Sequence, residues 1–273
     1  MKDGIVNDLS HSKFLFRTIW ISDVHLGTSG AQVDALLHFL KHTQCDTLYL
    51  VGDIIDGWQL KKRFFWPQKH NDVIQKILRK ARNGTKVIYI PGNHDEAARD
   101  YIDYTFGEVE IHMDYIHHTI KGEKYWVVHG DLFDSIIKHA RWLAYIGDYA
   151  YVNLLRVNRL INGFRQLLNM PYWSFSQYLK LKVKSAVSFI SAFETAMVTE
   201  ARRRGCSGVI CGHIHKAEIR EIDGIKYFND GDWVESITAL VEHHDGQMEI
   251  INWAKITELK AAVSHPTAFV AVE

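Results

Sequence analysis

The sequence predicts an α/β fold: a parallel or mixed β-sheet covered by helices and interrupted by one long helical insertion. In the first half, an apolar β-branched run is followed by a polar, glycine-bearing turn, and helical stretches lie between these units. From about residue 135 to 204 the strand signal gives way to helical spacing. At residue 208 an apolar run brings the strand pattern back.

FRTIWISD leads into 22-SDVHLG-27, DTLYLVGD into 52-GDIIDGW-58, and KVIYIPGNHD into 92-GNHDE-96. Between them, 32-QVDALLHFLKH-42 and 71-NDVIQKILRKARNG-84 have the apolar spacing of amphipathic helices, the second closed by a glycine stop. The segment 125-YWVVHGD-131 is a further strand and turn. Beyond it, Trp142, Tyr145, Tyr149 and Val152 recur at helical spacing, as do Ala186, Ile190, Phe193 and Met197, with a break near 169-NMPYW-173. After GVICGHIH come two hairpins, turned at Asp223-Gly224 and Asp245-Gly246. The expected organisation is a discontinuous core of residues 1–134 and 205–260, an insertion at 135–204 and a loose tail at 261–273. No signal distinguishes the chain after Trp253.

The 273 residues allow one large domain, and their formal net charge of zero gives no global field for nucleic acid. Three cysteines, Cys45, Cys206 and Cys211, form no C-x-x-C and suit a reducing compartment. No secretory h-region and no apolar run of membrane-spanning length is present, so a cytoplasmic protein is expected.

The sixteen histidines are the anomaly in this composition. Polar residues of metal-binding type stand at each strand end: Asp23 and His25, Asp53, Asn93 with His94, His129, and His213 with His215. Singly, such residues are ordinarily solvated or capping. Together, on one edge of a sheet, they would surround one point with imidazoles, two carboxylates and an amide oxygen. The set is all nitrogen and oxygen, which fits Mn²⁺, Fe²⁺ or Zn²⁺ and not a structural zinc knuckle. So many ligands exceed the needs of one ion and suit two that share a carboxylate. Two ions about 3.5–4 Å apart polarise phosphoryl oxygens and make hydroxide available near neutral pH, which points to displacement at phosphorus. His213 and His215 are one residue apart, so a continuing strand would aim both the same way.

D-x-H, G-D-x-x-D, G-N-H-D, H-G-D and G-H-x-H, in this order, resemble the calcineurin-like metallophosphoesterase family. The resemblance implies a four-layer α-β-β-α sandwich of two mixed sheets. It implies that Asp23, His25, Asp53 and His215 hold a first metal, that Asp53 bridges, and that Asn93, His129 and His213 complete a second. It implies that His94 is no ligand but contacts the phosphate or leaving oxygen as a donor or general acid. It also implies a small strand-end distortion that lets His213 and His215 straddle the pair.

Within that family, an insertion between H-G-D and G-H-x-H, together with 230-DGDW-233, resembles the UDP-2,3-diacylglucosamine diphosphatases of lipid A synthesis. Those enzymes release UMP and the acylated sugar 1-phosphate, usually with Mn²⁺. From Ser135 to Ser185 the insertion carries eight Lys or Arg and one acidic residue, Asp148, among many aromatics. A basic, aromatic helical lid suits a pyrophosphate with acyl chains, or peripheral contact with the anionic inner-membrane surface. It equally suits aromatics that pack the insertion onto the core beneath a solvated charged face. Arg141, Lys182 and Lys184 are its candidate substrate contacts. The chain departs from those enzymes at His94, where they carry Arg, so another phosphodiesterase, nucleotide pyrophosphatase or phosphatase of this family is the alternative. A non-catalytic scaffold would be expected to lose ligands, and none is lost.

Overall fold

The computed structural model describes residues 13–133 and 176–264, with only the backbone course given at 176–188 and 259–264. Two mixed sheets form its α/β frame. The first has seven strands, in the order β12-β11-β1-β2-β3-β5-β4: Met248–Asn252, Thr238–Glu242, Phe14–Ile21, Thr43–Val51, Lys86–Ile90, Val109–Ile111 and Thr105–Phe106. The second has five, in the order β6-β7-β8-β10-β9: Tyr115–His118, Lys124–Val127, Gly208–Cys211, Ile225–Asn229 and Glu218–Ile222. Strands β1, β2, β3 and β5 run parallel, as do β7, β8 and β10. The antiparallel neighbours are β11, β12 and β4 in the first sheet and β6 and β9 in the second.

Both faces of the central strands are covered, which is why β1 and β2 read as near-continuous apolar runs. On one face, Trp20, Tyr49, Val51, Ile88 and Ile90 meet Tyr125, Val127, Ile210 and Phe228 of the second sheet. On the other, Ile19, Ile21, Leu48 and Leu50 pack under helices α1 (Val33–His42) and α3 (Gln68–Arg82). α1 buries Val33, Leu36, Phe39 and Leu40, and α3 buries His70, Val73, Ile77 and Ala81, each an i, i+3/i+4 stripe. α3 begins three residues before the expected start, because Pro67 directly precedes it with a φ of −66° suited to a helix entry.

A short helix, α2 (Gly57–Lys62), follows β2, and α4 spans Ser176–Arg203. On α4, Phe193 and Met197 of the helically spaced set are buried. Trp142, Tyr145, Tyr149, Val152, the break at 169–173 and Arg141 lie outside the described residues.

The chain beyond Trp253 is not a featureless tail: Trp253–Ser264 forms helix α5. Its first residue is buried beside Phe39 and Phe14, so tertiary packing makes the helix where local pattern gave no signal. The short strands β4, β5 and β6 also carry too few residues for a period to show. The chain divides into two compact units, Met1–Asp131 with Glu200–Glu273, and Leu132–Thr199. Among the described residues no helix is long and apolar enough to cross a membrane.

One buried polar knot crosses between the sheets. The Glu242 carboxylate of β11 accepts from Arg17 and Thr18 of β1 and from the Ile120 N–H, and lies 3.0 Å from His117 Nε2 of β6. Burial opposes its charge, but these donors hold the carboxyl at about 2, below its ordinary 4.5. The stabilisation is therefore complete above about pH 4.5 and is lost as pH falls toward 2. Glu242→Gln should cost about 2–3 kcal/mol at pH 7, and the gap to the wild type should narrow between pH 4.5 and 2, as followed by denaturant melts.

Candidate metal centre

The carboxyl ends of β1, β2, β3, β7 and β8 all deliver residues to one cluster, which the backbone zips together. The N–H groups of Asp23, Val24 and His25 donate to the carbonyls of Gly52 and Asp53, and Leu26 pairs with Ile55. Gly212 N–H donates to His129 O, joining the ends of β7 and β8, and Trp233 N–H donates to Asp23 O, joining the two sheets.

Three overlapping groups of ligand atoms result, in each of which the atoms lie within 4.8 Å of one another: Asp23, His25 and His215; His25, Asp53 and His94; Asp53, His129 and His213. His25 and Asp53 link them into one array. Its floor is dry, with Asp23, Asp53 and His129 buried, while His94 and His215 retain 23% and 37% side-chain exposure and form its open side.

Each carboxylate has one oxygen tied to the protein. Asp23 Oδ2 accepts from Ser22 Oγ at 2.6 Å and His213 N–H at 2.9 Å, leaving Oδ1 3.1 Å from His215 Nε2 and 3.9 Å from His25 Nε2. Asp53 Oδ1 accepts from His94 N–H at 2.9 Å, leaving Oδ2 3.4 Å from His129 Nε2 and 3.9 Å from His94 Nε2. The imidazoles are oriented in the same manner. His129 Nδ1 donates to Val51 O at 2.8 Å, which turns Nε2 to the cluster. His25 Nδ1 lies 3.2 Å from Asp56 Oδ2, with Nε2 on the Asp23 side.

Burial opposes the charge of Asp23, yet His215, 3.1 Å from Oδ1, and the His129 charge hold its carboxyl below the ordinary range. The same opposition at Asp53 is overcome by His129 and by the His94 N–H. Burial disfavours a charged His129 and His215, and the neighbouring carboxylates, Asp53 and Asp23 respectively, raise both above their ordinary value. A cation would take over the role that imidazole protons have here. The residues fit divalent ions: the donors are all nitrogen and oxygen, and Asp23 Oδ1, Asn93 Oδ1 and His129 Nε2 are buried without a hydrogen-bond partner. The family implied by the motifs has two such ions.

His213 and His215 do not continue a strand. β8 stops at Cys211, and both histidines adopt left-handed backbone, with φ of 69° and 51°. Asp23, His25 and Asp53 do likewise, at 49°, 53° and 53°. Five of the eight positive-φ non-glycine residues described are thus in this array, at about 1–3 kcal/mol each. Two glycines make room for it. A Cβ on Gly52, whose φ is +80°, would lie 2.3 Å from the His129 ring. One on Gly92 would lie 2.2 Å from Asp53 Oδ1.

Of the residues expected from sequence, the structure brings together Asp23, His25, Asp53, His94, His129, His213 and His215, with Asn93 adjoining through the same loop. Lys182 and Lys184 lie on α4, where only the backbone is described. Sequence reasoning missed the supports. Asp56 lies 3.1 Å from His94 Nδ1 and 3.2 Å from His25 Nδ1, and also caps α2 through Gln59 N–H. Asp95 accepts from the N–H groups of Gly92, Ile54 and Asp53, locking two ligand loops together. Asp230 lies 2.7 Å from Ser22 Oγ, and burial pushes its carboxyl well above the ordinary range. All three were visible as the final Asp of G-D-x-x-D and of G-N-H-D, and the first of D-G-D-W.

The family described as calcineurin-like phosphoesterase matches residues 16–217. A protein of Porphyromonas gingivalis named UDP-2,3-diacylglucosamine hydrolase is 27% identical over 78% of this chain and 88% of its own. One of the same name from Aeromonas salmonicida is 26% identical over 82% and 89%. Among solved structures, a Vps29 of Entamoeba histolytica aligns with 86% of this chain and 96% of its own, at 14% identity and a TM-score of 0.40.

Gly92→Ala should displace the Asp53 carboxylate and lower the metal retained after Mn²⁺ loading and desalting, while circular dichroism stays that of the wild type. Full metal content in the variant would contradict the close fit at this loop.

Proposed function

The chain belongs to the calcineurin-like phosphoesterase family and is a hydrolase, and from that premise we propose that it cleaves the pyrophosphate of UDP-2,3-diacylglucosamine to UMP and 2,3-diacylglucosamine 1-phosphate. The observation that carries a dimetal phosphoesterase is the continuous array in which Asp53 stands between the Asp23 and His129 groups. The sugar nucleotide is supported by the name shared by five relatives at 23–27% identity.

In this reading Asp23, His25, Asp53 and His215 hold one ion and Asp53, Asn93, His129 and His213 the other, with Mn²⁺ the ion of choice. Once bound, the ions would polarise the phosphoryl oxygens and make a hydroxide nucleophile available near neutral pH. Attack at the uridine-side phosphorus forms one P–O bond and breaks another, so the bridging oxygen leaves with the sugar phosphate. His94 supplies the proton for that oxygen from Nε2. Asp56, 3.1 Å from His94 Nδ1, and Trp58, with ring centroids 4.4 Å from it, fix the imidazole's orientation. The insertion at 135–204 is the lid that receives the acyl chains, with Arg141, Lys182 and Lys184 on the substrate. The protein works in the cytoplasm, at the inner face of the membrane that carries its substrate.

His94 favours a second reading, another phosphodiester or pyrophosphate on the same centre, because the lipid A enzymes carry Arg there. UMP release from UDP-2,3-diacylglucosamine by Mn²⁺-loaded protein, beside a metal-free control, separates the two. Metal-dependent release is expected. Hydrolysis of bis-p-nitrophenyl phosphate without UMP release would select the second reading. His94→Ala should keep its metal and slow turnover by about 10²–10⁴-fold. Loss of metal with it would make His94 a ligand.

A further inference from the structure

We propose that the exposed run Lys61–Phe65, beside the metal centre, docks the protein on an anionic lipid bilayer. The run is held at both ends and projects between them. At its front, α2 starts from Asp56, which touches His25 and His94. Trp58 lies over His94 and donates from Nε1 to Glu96 Oε1. Leu60 sits so close to Gly27 that a Cβ there would be 2.8 Å from its Cγ. At the back, Phe65 and Trp66 set their rings edge-on to His70, whose Nδ1 accepts the Gly27 N–H at 2.9 Å. Between these contacts, Lys61 to Phe64 are exposed.

Phe64 is 79% exposed, the most exposed large hydrophobic side chain described, and Phe65 is 40% exposed. Lys61, Lys62 and Arg63 are exposed beside them, and no described carboxylate pairs with any of the three. Aromatic rings held in water next to unpaired cations are the composition of an interfacial anchor, in which rings enter the headgroup region and cations meet lipid phosphates. Single-stranded nucleic acid also combines rings with charge, but a run of three cations on a chain of zero net charge supplies no extended groove. α2 is six residues, about 9 Å long, so docking here would bring the metal centre close to the membrane surface.

The idea deepens the lipid-linked reading of the substrate, yet its test is binding and needs no turnover. Full-length, Mn²⁺-loaded protein would be sedimented with vesicles of phosphatidylethanolamine and phosphatidylglycerol, and with phosphatidylcholine alone. Preference for the anionic vesicles is expected, weakening with salt. Phe64→Ser with Phe65→Ser should lower that binding at least about tenfold, and Lys61→Glu with Lys62→Glu should remove the preference for anionic lipid. Hydrolysis of bis-p-nitrophenyl phosphate should survive in both variants, which reports that they are folded. Wild-type binding unchanged by the Phe pair, no vesicle binding at all, or variants that lose binding to single-stranded RNA and not to vesicles would overturn the proposal. Vesicle binding without UMP release would keep the docking surface and discard the substrate.

Discussion

Asp23 and Asp53 are carboxylates in the dry floor between two sheets, close enough that the charge of Asp53 disfavours that of Asp23. Water cannot solvate them there, so their charge must be met by the protein or by a bound cation. Much of the local structure follows from this constraint. One oxygen of each is fixed by a backbone N–H, and the other faces imidazole nitrogens. The histidines are in turn aimed by acceptors behind them, Val51 O for His129 and Asp56 for His25. The left-handed backbone at five of these residues is the cost of converging from separate strand ends on so small a volume.

The scaffold makes that cost bearable. Parallel strands buried on both faces provide rigid ends that stop at the same edge, and Asp95 cross-links the loops after β2 and β3 by accepting four N–H bonds. Trp233 connects the second sheet back to Asp23 through its N–H, while its ring is buried against Phe39 of α1. Away from the site, the Glu242 carboxylate ties the first sheet to β6 and the turn after it. The open side is built differently, from half-exposed His94, His215 and Trp58, which suits a face that must receive a substrate.

Much of this was legible in the sequence. Apolar runs ending in Gly-Asp, Gly-Asn-His, His-Gly-Asp and Gly-His-x-His marked both the strands and the residues that meet at their ends. What stayed hidden is non-local. His213 and His215 take positive φ, and the His213 N–H reaches Asp23 across the site, which no strand periodicity encodes. Asp56 and Asp95 went unassigned because their partners lie in other turns, far along the chain. Helix α5 exists through the burial of Trp253, and the exposure of Phe64 could not be told from composition, since Trp66 two residues on is part-buried against His70.

The central claim is that Asp53 stands between two metal sites. A crystal structure of Mn²⁺-loaded protein, with anomalous scattering recorded at the manganese edge, tests it most directly. Two peaks about 3.5–4 Å apart, both within bonding distance of Asp53, are the predicted result. A single peak, or two that do not share the Asp53 carboxylate, would contradict the account.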